Sequence, residues 1–131
     1  MSLRLLPDCE TVCVDYLKSV GEVAALVGNR VAGQLPPKAV FPYLTVSSSG
    51  GPPVIEFHLT AALIQIDAWA PNRLIARTLA RTAAAALVEM PGVRGDAVVT
   101  GIQTFVGIQK IKDPTLAHYS FSVRVFAHPK P

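Results

Sequence analysis

The segment Thr60–Ala70, TAALIQIDAWA, constrains the fold of this chain more than any other. Its even positions Ala62, Ile64, Ile66 and Ala68 are all apolar, whereas Leu63, Gln65, Asp67 and Trp69 at the odd positions are mixed. Side chains alternate across a β-strand, so the pattern predicts one face against a core and one face only partly wet. Pro71 and Asn72 stop the strand, and Asn72 is placed to cap a helix from Arg73 to about Glu89 that Pro91 and Gly92 close. A strand that runs straight into an amphipathic helix predicts a sheet with that helix laid on its core face.

The flanking segments extend the same plan. Asp8 is a plausible N-cap, and Cys9, Cys13, Tyr16, Leu17 and Val20 follow the helical period up to Gly21. Glu22 to Val27 adds a short second turn of helix ending at Gly28 and Asn29. From Arg30 to Pro42 the prolines at 36, 37 and 42 require extended chain or loop. Tyr43 to Ser48 (YLTVSS) is β-branched and aromatic enough for a strand, and SSSGGPP at 47–53 reads as an uncharged loop. Two long strands follow, 97–111 and 117–128, joined by a turn around Asp113 and Pro114. In the second of them Tyr119, Phe121, Val123 and Val125 alternate with Ser120, Ser122 and Arg124, the mark of a half-buried antiparallel strand. The expected architecture is one α+β domain over residues 1–131. It has the order α-β-β-α-β-β, with a mainly antiparallel four-stranded sheet and two main helices on one face.

Composition narrows the function. The 131 residues are 50% hydrophobic and only 16% charged, with a formal net charge of +3. That excludes overall disorder, which pairs low hydrophobicity with high charge, and falls short of a dedicated nucleic-acid binder, whose basic residues are numerous and clustered. A domain with so little charge to place on its surface is expected to hide part of that surface against copies of itself. Cys9 and Cys13 lie four positions apart on a helix, where disulfide geometry is poor, and read as small buried hydrophobes. His58, His118 and His128 are scattered and none repeats a zinc-finger spacing, so no metal is expected. The N-terminus is too short in apolar residues for a signal peptide, and no apolar run is long enough to span a membrane, so the cytoplasm is the expected site of synthesis and assembly.

No nucleotide-binding glycine loop, zinc-protease motif or nucleophile elbow is present, so neither catalytic residues nor a cofactor are expected. Arg73, Arg77 and Arg81 recur every four residues and drift by about 40° per step, so they share one side of the main helix. Ala80, Ala84, Val88, Leu74, Thr78 and Ala85 fall between and beside them, leaving little polar cover. The row is either a solvated face, a face buried against another chain, or a weak phosphate contact. With the mixed strand face at Leu63, Gln65, Asp67 and Trp69 it supplies two unlike patches on one domain, as a head-to-tail ring requires.

Pro42 to Val46 (PYLTV) after the prolines at 36 and 37, Asp67 to Ala70 (DAWA) running into an Ala/Arg-rich helix, and a closing hairpin with Asp113 and Pro114 at its turn resemble the tail terminator proteins of long-tailed bacteriophages. These are also labelled tail completion or head-tail joining proteins, and the likeness spans about residues 8 to 128. It implies a hexameric ring in the neck region of the virion tail, at the head-proximal end of the tail tube. Such a ring stops further addition of tube subunits and presents the surface that joins the head. The implied partners are copies of the chain itself, the major tail tube protein and a head completion or connector protein, with DNA only passing through the channel. Ser47, Ser48, Ser49, Gly50 and Gly51 carry no charge or anchor, so flanking Glu56, Phe57 and His58 share the expected tube contact. Two rivals remain open: a small cytoplasmic oligomeric ligand-binding or enzymatic domain with a pocket near Trp69, Asp67 and His58, and a DNA-contacting neck protein.

Overall fold

The computed structural model describes residues 5–49 and 59–131. Helix α1 (Cys9–Ser19) starts where the Asp8 carboxylate accepts from the Thr11 N–H, satisfying one of the free donors of the first turn. It buries Cys9, Cys13 and Leu17, the stripe expected from the period. Val20 ends α1 and opens the seven-residue α2 (Gly21–Val27), which Gly28 closes with φ at 61°, a conformation glycine adopts without a Cβ clash. Strand β1 (Val31–Ala32) follows, then β2 (Tyr43–Ser48), β3 (Thr60–Ala70), helix α3 (Arg73–Val88), β4 (Gly92–Arg94), β5 (Ala97–Ile111) and β6 (Ala117–Pro129).

The strands form one six-stranded sheet in the order β1-β2-β3-β6-β5-β4. The α+β class and the one-sided helices stand, but the expected four-stranded antiparallel sheet and its order do not. The sheet is mixed, because β1 runs parallel to β2 with Val31 opposite Leu44. Both additional strands were too short to carry an alternation. β1 has two residues, and the three of β4 pair back onto Ala97–Val99 across the Gly95–Asp96 turn. Gly95 has φ at 59° at the first central position, which suits the type II′ turn of a two-residue hairpin.

The core lies between the helices and one face of the sheet. Leu44 and Val46 of β2, Ile64, Ile66 and Ala68 of β3, and Phe121, Val123 and Val125 of β6 meet Ala76, Leu79, Ala83 and Leu87 of α3. Burying one Leu or Ile contributes about 1.5–3 kcal/mol relative to leaving it exposed. At the helix layer, the Tyr16 hydroxyl donates to the Ala86 carbonyl at 2.6 Å, tying α1 to α3. Strand β6 sits at the sheet centre with neighbours on both sides, whereas β5 is paired on its outer edge only at Ala97–Val99 among the described residues. Three register shifts along β5 against β6, between Val99 and Gln109, insert extra residues that bend the strand and curl the sheet.

Candidate interaction surfaces

The antiparallel register of β2, β3 and β6 builds the first surface, on the sheet face opposite the helices. Tyr43 pairs with Trp69, Thr45 with Asp67, Asp67 with Ser120 and Trp69 with His118, so these side chains share that face. His118 Nε2 lies 2.7 Å from Asp67 Oδ1, and its ring stacks on Trp69 with centroids 3.7 Å apart and planes at 17°. Trp69 Nε1–H donates to Thr45 Oγ1 at 3.0 Å, and Gln65 Nε2 donates to the Asp67 carboxylate. Asp67, His118 and Thr45 are buried by one another although no helix covers them.

The expected outward contacts of β3 are therefore unequal. Asp67 and Trp69 are committed inside the subunit, whereas Leu63 and Gln65 stay half-buried at the surface. The pairing with His118, fifty-one positions away, had no local signal in the sequence. Chemically the Asp–His pair orients an imidazole, but among the described residues no hydroxyl or thiol is bonded to His118, the contact an acyl-transfer nucleophile makes. No group of three His, Cys, Asp or Glu among the described residues could hold a metal.

The second surface is the outer side of α3. Arg73, Arg77 and Arg81 are exposed together with Leu74 and Val88, while Ala76, Leu79, Ala80, Ala83 and Leu87 turn inward. Ala80, which the sequence placed among the arginines, is buried. Arg73 Nε–H donates to the Tyr119 hydroxyl at 3.1 Å, so the row is anchored at one end. The helix begins where Asn72 Oδ1 accepts from the Ile75 N–H at 2.9 Å.

Ser47 and Ser48 end β2, and Ser49 follows it, each placed by the strand pairing or by a hydrogen bond. The Ser48 N–H donates to Glu10 Oε1 at 2.9 Å, and the Ser49 N–H donates to the Leu63 carbonyl. The remaining candidate tube-contact residues Gly50, Gly51, Glu56, Phe57 and His58 lie outside the described residues. A pocket involving His58 falls there too.

Two further features escaped the sequence reading. Phe105, Val106 and Ile108 of β5 are exposed. A regular alternation would have turned a share of them inward, and only the glycines at 101 and 107 hinted at an irregular strand. The Arg124 guanidinium lies over the Phe105 ring at 5.2 Å, extending the polar sheet face toward this arm. An open groove of about 600 Å³ runs between α1 and the β4–β5 turn, with Asp8, Asp15 and Asp96 in its walls.

Four pKa shifts bear on the helices and the hairpin turn, the first of them a Cys9 thiol raised by burial. Burial pushes the Cys13 thiol up to about 12, so it stays protonated and inert inside the core. Burial also raises the Tyr16 hydroxyl. The backbone N–H groups of Thr115 and Leu116 hold Asp113 below the usual carboxylate range, fixing the β5–β6 turn.

The family model described as tail completion protein gp17 matches residues 14–128. A chain of a solved structure described as the virion of a native gene transfer agent particle has the same fold, with a TM-score of 0.71 at 16% identity. The similarity covers 91% of this chain and 93% of that one. No curated protein matches in sequence.

Proposed function

The chain belongs to the tail completion protein gp17 family, and from that membership we propose that it is the ring that ends a phage tail tube. The family is one of structural virion proteins, which is not an enzyme class. In this reading six copies close head-to-tail on the head-proximal end of the tube, stop addition of tube subunits and offer the surface that the head completion or connector protein joins. The carrying observation is the family match over residues 14–128. A fold shared with a chain of a virion structure over nearly the whole length supports it.

The surfaces suit this work. A closed ring needs two unlike patches on each subunit. Leu63 and Gln65 lie on the sheet face and Arg73, Arg77 and Arg81 on the helix layer, so they point away from each other. The β2 end at Ser47–Ser49, with Gly50, Gly51, Glu56, Phe57 and His58 beyond it, is the tube contact. Assembly takes place in the host cytoplasm, and the product stays in the neck of the virion. DNA meets the ring only in passing.

The test is tube growth in vitro. Tail tube protein polymerised with increasing amounts of the chain should give tubes of arrested length, capped at one end in electron micrographs. Unchanged tube lengths at saturating chain would remove the terminating role. A second reading, DNA contact in the neck, is favoured by the exposure of Arg77 and Arg81, which have no partner among the described residues. It requires salt-sensitive DNA affinity that disappears in the Arg73→Ala, Arg77→Ala, Arg81→Ala triple variant. Unchanged binding by that variant dismisses it.

A further inference from the structure

Two surfaces of one chain complement each other, yet lie too far apart to meet within it. The first is the β5 arm. From Thr100 to Ile111 no described strand pairs with its outer edge. Phe105, Val106 and Ile108 along it are 53%, 36% and 39% exposed, because the register shifts break the alternation that would bury some of them. Lys110 and Lys112 follow, both exposed and without a partner among the described residues. Asp113 beyond them is turned back onto the backbone N–H groups of its own turn.

The second is the groove between α1 and the β4–β5 turn. Its rim carries Leu5 and Val93, 79% and 59% exposed, and its walls carry Asp8, Asp15 and Asp96. Arg94 is the basic side chain there, and it is occupied. Its Nε–H donates to the Met90 carbonyl at 2.7 Å and its guanidinium lies over the Tyr16 ring at 4.6 Å. The groove is thus apolar at the rim and acidic in the wall, whereas the arm is apolar with a basic end. Asp96 precedes β5 and Ile108 lies near its far end, a separation of about 40 Å along an extended strand.

We propose that the β5 arm of one copy seats in the α1/β4–β5 groove of a second copy, Phe105 and Ile108 against Leu5 and Val93, and Lys110 and Lys112 toward Asp15 and Asp96. This rests on the ring reading and adds a second pair of unlike patches to the one formed by Leu63 and Gln65 with the arginine row. An edge strand with free backbone groups and exposed apolar residues is a natural site for another chain. The contact joins unlike patches, so each copy keeps one arm and one groove available, and repetition with the right rotation closes a ring.

The test uses the full chain with single cysteines introduced as Ile108→Cys and Val93→Cys; native Cys9 and Cys13 are buried. Mixed under mild oxidation, these two variants should form a disulfide-linked heterodimer about tenfold faster than Ile108→Cys mixed with Val40→Cys, an exposed position outside every surface assigned to a contact. Adding Lys110→Glu and Lys112→Glu to the arm should slow the reaction about tenfold, and Asp15→Lys with Asp96→Lys in the groove partner should restore it. Rates equal to the Val40→Cys control, or arm-to-arm dimers in excess, would overturn the contact. Electron microscopy of the same samples separates the two readings. Closed rings without this cross-link remove the contact and keep the ring, and cross-linked open chains do the reverse. Monomers without cross-links, in the presence of tail tubes as well as alone, remove both.

Discussion

Strands β5 and β6 are hairpin partners of similar length, and they differ in almost everything else. Strand β6 has a neighbour on each side, is buried from His118 to Phe121 and alternates buried with half-buried residues from there to Pro129. Strand β5 is exposed without interruption from Gln103 to Lys110, on both faces and along one edge. A hairpin alone does not require such asymmetry. It separates two regions, with the buried contacts held where β6 meets β3 and α3, and exposed surface concentrated where β5 leaves the sheet.

The sharpest way to break this contrast is to truncate one apolar residue in each region. Ile66→Ala, in the core face of β3, should cost about 3 kcal/mol in denaturant unfolding. Ile108→Ala should stay within about 0.5 kcal/mol of the parent and instead reduce association. Equal losses in the two variants would make the arm part of the core. Next comes the buried Asp67–His118 pair, which the account assigns to the stable half. Asp67→Ala leaves the His118 ring without its acceptor and should cost about 2–3 kcal/mol, with a shift in Trp69 fluorescence as the stack loosens. An unchanged midpoint and spectrum would mean that the pair belongs to the contact surface rather than to the subunit.

A smaller effect sharpens the assignment of α1 to the stable half through pH. The Cys13 thiol ionises at about 12 when folded and near 9.0 in the open chain, so the folded state holds its proton more tightly. Stability from this group is complete below pH 9 and falls as pH rises, by about 1 kcal/mol at pH 10. Cys13→Ala should flatten that alkaline slope while lowering the plateau, as equilibrium unfolding at a series of pH values will read. An identical slope in the variant would place the titration elsewhere. Smallest is the start of α3, where Asn72→Ala removes the cap on Ile75 and should cost about 1 kcal/mol or less, with no effect on association.

Much of the stable half was legible in the sequence, because its signals are local. The period-two pattern of Thr60–Ala70, the Pro71–Asn72 stop and the alternation from Tyr119 to Val125 gave β3, the start of α3 and β6. The limits of β5 were also readable, but not its exposure, since three register shifts decide which way Phe105, Val106 and Ile108 point. Strands β1 and β4 escaped because two or three residues carry no period, and their existence depends on partners far away or across a turn. The candidate surfaces divide similarly. The exposure of Arg73, Arg77 and Arg81 follows from helical spacing alone. The commitment of Asp67 and Trp69 to His118 and Thr45 follows from register between distant strands, which no local pattern encodes.

Closure into a ring on the end of a tail tube, as we propose, is read from the native mass measured alone and after mixing with tail tubes, with electron microscopy of the product. A species of six copies is expected, seen as a closed ring on one end of each tube. A monomer or dimer in both conditions, leaving the tube ends bare, would contradict it.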